Sequence, residues 1–399
     1  MLKFPIDASG TKKRETKGPL TLPDGTVVEA HYPVIVSASR STDIPAFYAD
    51  WFFKRLAAGY SVWTNPFNGQ RLYVAYEKTR FIVFWSKNPA PLLPHLDTLR
   101  QRNIGCYVQF TLNDYVKEGY EPGVPPVEKR LETFCQLSEK LGKQAVIWRC
   151  DPLMLTDKVR PDDLLRKIEN LGDALRGHTE KLVFSFVDIT CYRKVLCNLK
   201  RSDINYEEWT PDTMRDFASG LKALNERQGW GYELATCAEE IDLDSLGIAH
   251  NRCVDDRLMV RIAQKDSKLM THLGYEIPHV QGRLTGVPST LPSGAIDLGD
   301  GRYAVRIEGS RNDKNNGQSK NKDKGQRDHC HCIKSKDIGQ YNTCKHFCVY
   351  CYANGKQDSV TANYDAHLQN SDAEAITGEA VKRGSRQWRS HRRSSSLSR

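Results

Sequence analysis

Short apolar bursts recur between residues 34 and 237, separated by stretches with helical periodicity, and this alternation predicts a parallel sheet with crossover helices. The bursts are Val34–Ser39, Tyr60–Thr64, Phe81–Trp85, Cys106–Thr111, Ala145–Arg149, Leu182–Val187 and Tyr232–Cys237, giving seven predicted strands. Helices between them start on proline and acid, at Pro161-Asp-Asp and Thr210-Pro-Asp, where a first turn favours both. After Pro161, Leu164, Leu165, Ile168, Leu171 and Leu175 fall on one helical face, ready to cover a sheet. The pattern predicts an α/β fold, a (β/α) barrel or partial barrel over residues 31–270, behind a polar N-terminal leader over 1–30.

Past Ile262 the alternation fails. Residues 271–325 read as an irregular insert and linker, with one strand at Tyr303–Glu308 and a Lys/Asn/Asp/Gly run over 309–325. A cysteine-rich segment over 326–360 follows, then a basic tail over 361–399 that composition predicts to be disordered.

Each predicted strand ends in polar residues: Ser39 to Asp43, Asn65 and Asn68, Ser86 to Asn88, Gln109 to Asn113, Arg149 to Asp151, Ser185 with Asp188, and Cys237 with Glu239. In β/α barrels that edge carries the active site. Many of these residues also suit helix caps and turns, Asp43 before the helix near Pro45 among them. Arg40 and Arg149 fit that reading poorly, because a guanidinium in a barrel needs an anionic partner; they are candidate carboxylate or phosphate binders, with Asp43 and Asp151 as candidate catalytic acids. The Gly/Pro-rich stretch 113–127 is either a lid over the pocket or an ordered surface loop.

The 399-residue chain has ordinary globular composition, 39% hydrophobic and 27% charged, and no apolar run of membrane-span length or signal-peptide core. A cytoplasmic enzyme with no membrane partner is expected. The net charge of +9 comes mostly from Lys382, Arg383, Arg386, Arg389, Arg392, Arg393 and Arg399, a run without acids. That run could bind nucleic acid through charge, with Trp388 to stack on a base, or simply be solvated. No P-loop, dinucleotide fingerprint or Ser-His-Asp signature occurs.

Twelve cysteines in a reducing compartment point to metal or redox chemistry, and five fall between Cys330 and Cys351. Cys344, Cys348 and Cys351 form C-x3-C-x2-C inside Thr343–Asn354, with Tyr350 before the last cysteine and Tyr352 after it. Three thiolates can hold three irons of a [4Fe-4S] cluster and leave the fourth open to a small molecule. Structural zinc is the alternative, with spare ligands upstream among His329, Cys330, His331 and Cys332. Cys237, Cys253, Cys330 and Cys332 complete a second four-thiolate set, for an auxiliary iron–sulfur cluster or zinc, or else are ordinary thiols.

The Cys344–Tyr352 run resembles the signature of radical S-adenosyl-L-methionine enzymes, and its Cys348-Val-Tyr-Cys-Tyr ending looks closest to the spore photoproduct lyase branch. The resemblance implies a cluster that binds S-adenosylmethionine and releases a 5′-deoxyadenosyl radical to abstract a substrate hydrogen, fed by an electron donor such as flavodoxin or ferredoxin. Ser37–Phe47, Asn65–Asn68, Phe84–Pro89, Gln109–Thr111, Trp148–Pro152 and Asp337–Asn354 together resemble a bacterial family catalogued only as a domain of unknown function, over roughly residues 31–355. In the radical superfamily the cysteine loop follows the first barrel strand and a Gly-Gly-Glu type motif the second. Here the loop comes last and no Gly-Gly-Glu occurs, so a circularly permuted barrel is expected, with 332–354 as first unit and 34–43 as second. The sequence reading is therefore a radical S-adenosylmethionine enzyme of unknown substrate. Its alternatives are a non-catalytic iron–sulfur or zinc protein binding nucleic acid, and a metal-independent barrel hydrolase or lyase.

Overall fold

The computed structural model describes residues 17–378, except 66–67, 279–290, 300, 308–313, 316–317, 320–321, 324–325 and 328. Its centre is a sheet of eight strands: β1 (Ile35–Ala38), β2 (Phe81–Ser86), β3 (Gly105–Thr111), β4 (Val146–Leu153), β5 (Lys181–Phe186), β6 (Glu233–Thr236), β7 (Ala249–His250) and β8 (Lys336–Asp337). Neighbours pair in parallel throughout, in the order β8-β1-β2-β3-β4-β5-β6-β7. Chain order and spatial order thus agree, except that the last strand lies beside the first. The sheet is open only between β7 and β8, and there Ile333 N–H donates to Val254 O at 3.0 Å, joining the segments that border the gap. The fold is mixed α/β with a large parallel sheet, compatible with a partial barrel.

Parallel neighbours need crossovers, which helices supply. They include α1 (Ala49–Ala58), α2 (Val127–Leu141), α3 (Pro161–Ala174), α4 (Arg193–Arg201) and α5 (Pro211–Gln228). Helix α3 begins on Pro161, with the Asp163 carboxylate taking the Arg160 N–H at 2.9 Å. It buries Leu164, Ile168 and Leu171, each worth about 1.5–3 kcal/mol. Thr210 caps α5 by accepting from Thr213 N at 3.2 Å.

Strand alternation sorts the sheet's two faces. Ile82, Phe84, Val108, Phe110, Val146, Trp148, Leu182 and Phe184 pack into the larger core, together with residues of the crossover helices. On the other face Phe81, Val83, Tyr107, Ile147 and Val183 meet Leu258, Met259, Leu269 and Leu273 of α6 (Asp256–Ala263) and α7 (Ser267–Leu273). Further along the same inner rows come Trp85, Gln109, Arg149, Ser185 and Cys237. The inner face is therefore apolar at the strands' beginnings and polar at their ends.

Six of the seven predicted strands join this sheet. Tyr60–Thr64 does not: it pairs antiparallel with Arg71–Ala75 in a separate four-stranded sheet with Lys17–Thr21 and Val27–His31. The six residues between Thr64 and Arg71 suffice for a hairpin and are too few for a parallel crossover. Residues 17–31 of the polar leader thus belong to this second sheet. The strand expected at Tyr303 is present as Arg302–Arg306. At the C-terminus, α8 (Gln357–Gln369) runs across the boundary expected at 360. Residues through 378 fold back, with Trp51 Nε1 donating to Ala373 O at 2.8 Å and Val360, Ala375 and Ile376 buried, apolar anchors that a reading by charge passes over. The basic run 382–399 lies outside the described residues.

Strand β8 is held so closely that a Cβ built on Gly339 would lie 1.7 Å from Ser39 Oγ, beside the end of β1. Gly339→Ala is expected to cost about 1–3 kcal/mol by overpacking, read as a lowered midpoint in urea denaturation. Gly18→Ala, whose Cβ would meet Tyr32 at an ordinary 3.5 Å, should leave the midpoint near wild type.

Candidate functional site

Because β8 lies beside β1, the cysteine loop that follows it arrives at the polar edge of the sheet. Polar contacts pin the loop to at least four other parts of the chain. His346 Nε2 meets Asp43 Oδ2 at 2.7 Å, and its Nδ1 lies 3.0 Å from Gly123 O. Tyr48 OH donates to Thr343 O at 2.6 Å, and Asn198 Nδ2, on α4, to Cys351 O at 2.9 Å. Within the loop, Asn354 donates its N–H to Cys351 Sγ at 3.3 Å and its side-chain amide to Cys344 O at 2.7 Å. No sulfur–sulfur hydrogen bond joins the three thiols among the described residues. Burial first, then Asp43 and the neighbouring thiols, raises Cys344, and burial raises Cys348 against the opposing pull of Lys87.

Asp43 is a cap, accepting from Ala46 N at 2.9 Å, and it does more. It also takes Ser86 Oγ and Lys87 N, each at 2.7 Å, binding the end of β2 to the loop through His346. Tyr350 is buried and donates to Glu121; Lys87 Nζ reaches Glu121 at 2.8 Å and the Tyr350 hydroxyl at 3.1 Å. Burial alone would lower the Lys87 ammonium and raise the Glu121 carboxyl. Their pairing overrides both, so Lys87 is held above and Glu121 below its ordinary range. The 113–127 stretch is a clasp: Gly123 N donates to His346 O at 2.9 Å and Val349 N to Tyr120 O at 3.0 Å, with Tyr115, Tyr120 and Glu121 buried.

The second cysteine set converges at the gap in the sheet. Cys237 follows β6, Cys253 follows β7, and Cys330 and Cys332 precede β8. Cys237 Sγ is 3.4 Å from Cys253 Sγ, and Val254, next to Cys253, donates its N–H to Cys332 Sγ at 3.3 Å. No group of three or more His, Cys, Asp or Glu is arranged around a common centre among the described residues. Nitrogen donors face them: Arg149 Nη1 to Cys253 Sγ at 3.0 Å, Asn251 Nδ2 to the same sulfur at 3.4 Å, and Val254 N to Cys332 Sγ at 3.3 Å.

The two arginines differ in their partners from the expected ligand binders. Arg149 is buried and its donors go to Asp151, to Gln109 Oε1 at 3.2 Å and to Cys253, so the anions it grips belong to the chain. Arg40 stacks over Trp85 with its guanidinium carbon 5.3 Å from the ring centroid and donates Nη1 to Asp323 at 3.2 Å, while its Nη2 is buried without a partner. Asp151 takes both Arg149 and Ser185. Its N–H donates to Asn113 Oδ1 at 3.0 Å, and Asn113 Nδ2 reaches Glu121 at 3.1 Å and Tyr350 OH at 3.3 Å. A continuous polar path therefore runs from Cys253 through Arg149, Asp151 and Asn113 to Tyr350 in the cysteine loop. Sequence reading missed Glu121, Lys87 as an ion-pair partner, His346 as an anchor and Asn198, and no local signal marks them, because their partners are distant in the chain.

A family model described as Domain of unknown function (DUF1848) matches residues 35–283 and 299–353, which is most of the chain and includes both cysteine sets. The chain belongs to this family. Searches of curated proteins and of solved structures gave no match. The stretch between the two matched parts, 284–298, falls in the insert, so the family pattern spans the sheet and the loop that β8 delivers.

The buried Lys87–Glu121 pair supports the loop from below, with side chains 15% and 4% exposed. Glu121→Ala strands Lys87 and also Arg130, whose Nη1 lies 3.8 Å from Glu121 Oε2, and is expected to cost about 3–5 kcal/mol in urea denaturation, with Lys87→Met/Glu121→Leu relieving only the Lys87 part of the loss. Because the Glu121 carboxyl is held low, its contribution is present above the ordinary glutamate range and lost as pH falls through the folded value. The wild type should therefore lose more stability on acidification than the double variant.

Proposed function

We propose that this protein is a radical S-adenosylmethionine-type enzyme, with Cys344, Cys348 and Cys351 holding three irons of a [4Fe-4S] cluster. The observation that carries the reading is the sheet order. In the resembling superfamily the cysteine loop follows the first strand, and here β8 with its loop lies in space immediately before β1. The reading is thus of a circularly permuted barrel, residues 332–354 taking the first place and 34–43 the second.

The residues present fit the group. Three thiols and no fourth stand in the loop, and Asn354 N–H already donates to one of the sulfurs. Two buried oxygens near the loop, Thr42 Oγ1 and Asn354 Oδ1, have no partner, an arrangement that costs about 1–3 kcal/mol per group unless a polar ligand meets it. When bound, the cluster supplies an electron to S-adenosylmethionine, which yields methionine and the 5′-deoxyadenosyl radical that takes hydrogen from substrate.

The chain's own contribution is to hold the loop. His346, Tyr350 and Asn354 fix the loop through Asp43, Glu121 and the loop backbone, so the three sulfurs are placed before any ligand arrives. The 113–127 clasp and α4 hydrogen-bond the loop. The polar strand ends Arg149, Asp151 and Ser185 form one hydrogen-bonded set. A reducing, cytoplasmic setting and a flavodoxin- or ferredoxin-like electron donor go with this reading; all twelve cysteines are free thiols, and no helix among the described residues is long and apolar enough to cross a membrane.

Protein purified without oxygen should be brown and contain iron and sulfide. Added S-adenosylmethionine should shift the electron paramagnetic resonance spectrum of its reduced cluster. The C344A/C348A/C351A variant should lose iron and sulfide and no longer form 5′-deoxyadenosine, with its circular dichroism unchanged. Wild-type protein free of iron and sulfide after anaerobic reconstitution would contradict the proposal.

A further inference from the structure

The four thiols at the gap form a site separate from the cysteine loop. We infer that Cys237, Cys253, Cys330 and Cys332 bind a single zinc ion as a tetrathiolate, and that this ion closes the sheet between β7 and β8.

Spacing distinguishes a lone ion from a cluster. Four sulfurs about 2.3 Å from one zinc lie roughly 3.8 Å from each other, the edge of the tetrahedron. An iron–sulfur cluster places several irons and inorganic sulfides between its cysteine sulfurs and holds them beyond contact. Cys237 Sγ and Cys253 Sγ are 3.4 Å apart, and Val254, next to Cys253, donates its N–H to Cys332 Sγ at 3.3 Å. The sulfur separation seen here is that of ligands on a single ion.

The surroundings match in charge and in hydrogen bonding. A tetrathiolate zinc centre carries two net negative charges, which buried surroundings must compensate. Two guanidinium groups adjoin the set: Arg149 Nη1 donates to Cys253 Sγ at 3.0 Å, and Arg40 donates to Asp323, whose N–H in turn donates to Cys332 O at 2.9 Å. The buried Nη2 of Arg40 is a donor without a partner. Asn251 Nδ2 and Val254 N also donate to these sulfurs, the outer contacts by which a protein orients thiolate ligands and tunes the metal. Among the described residues no carboxylate hydrogen-bonds any of the four. Zinc would release the thiol protons to solvent and turn the four sulfurs toward one centre without a redox step.

Position gives the ion its work. The ligands come from the segments after β6, after β7 and before β8, so the ion ties the sheet's two edges where one backbone hydrogen bond otherwise joins them. Zinc removal should then loosen β8 and the loop that follows it.

The test uses full-length protein and does not depend on S-adenosylmethionine chemistry. In the C344A/C348A/C351A variant, stoichiometric zinc should remain after iron and sulfide are lost, and zinc-edge X-ray absorption should show four sulfur scatterers at about 2.3 Å. Cys330→Ser should lower zinc retention under chelator at least several-fold relative to that variant and increase amide exchange across 333–340. Iron and sulfide retained in place of zinc, a shell containing nitrogen or oxygen, or no metal at all would each overturn the inference. Should the triple variant fail to fold, the same absorption spectrum on wild type decides it, since the loop's iron is silent at the zinc edge.

Discussion

The last strand of the chain lies next to the first, and the structure depends on that placement being held. Strand β8 has only two residues, Lys336 and Asp337, and its parallel pairing with β1 covers Val36 and Ser37. Two residues of ladder cannot by themselves keep a segment in register after the irregular stretch that precedes it. The remaining hold comes from either side: Ile333 bonds Val254 across the gap, Asp337 takes the Arg40 N–H at 2.8 Å, and Gly339 packs on Ser39 while its carbonyl accepts from Trp63. Every contact of the cysteine loop with the polar edge follows from this anchoring.

Buried charge sets the second constraint. Arg149 with Asp151 and Lys87 with Glu121 stand at the polar strand ends, each joined to a cysteine segment by a hydrogen bond, and His346 of the loop hydrogen-bonds Asp43. A buried pair of this kind contributes little net stability, but breaking one is costly, so such pairs favour a single arrangement of the loop over alternatives. That is a means of placing three sulfurs accurately on a segment with no regular secondary structure of its own.

Much of the fold was legible in the sequence because parallel strands read as plain apolar bursts and their helices start on proline and acid. Phe81–Trp85 and Cys106–Thr111 were placed almost to the residue. Tyr60–Thr64 looks the same by composition, and only the short connection to Arg71 reveals its antiparallel partner. The candidate cysteines are legible in the sequence and their supports are not: cysteine spacing is local, whereas Asp43 with His346 or Arg149 with Cys253 are contacts across 303 and 104 residues. Nothing local marks Glu121 as the partner of Lys87. The convergence of Cys237, Cys253, Cys330 and Cys332 could be suggested by counting thiols, but proximity needed the sheet order.

The two cysteine sets are proposed to have different tasks, one holding a cluster at the polar edge and one closing the sheet. Anomalous diffraction from crystals grown without oxygen, collected at the iron and zinc edges, tests this most directly. Iron density bonded to Cys344, Cys348 and Cys351, with a single zinc peak among the other four sulfurs, is the predicted result. Iron absent from the loop, or found only among Cys237, Cys253, Cys330 and Cys332, would contradict it.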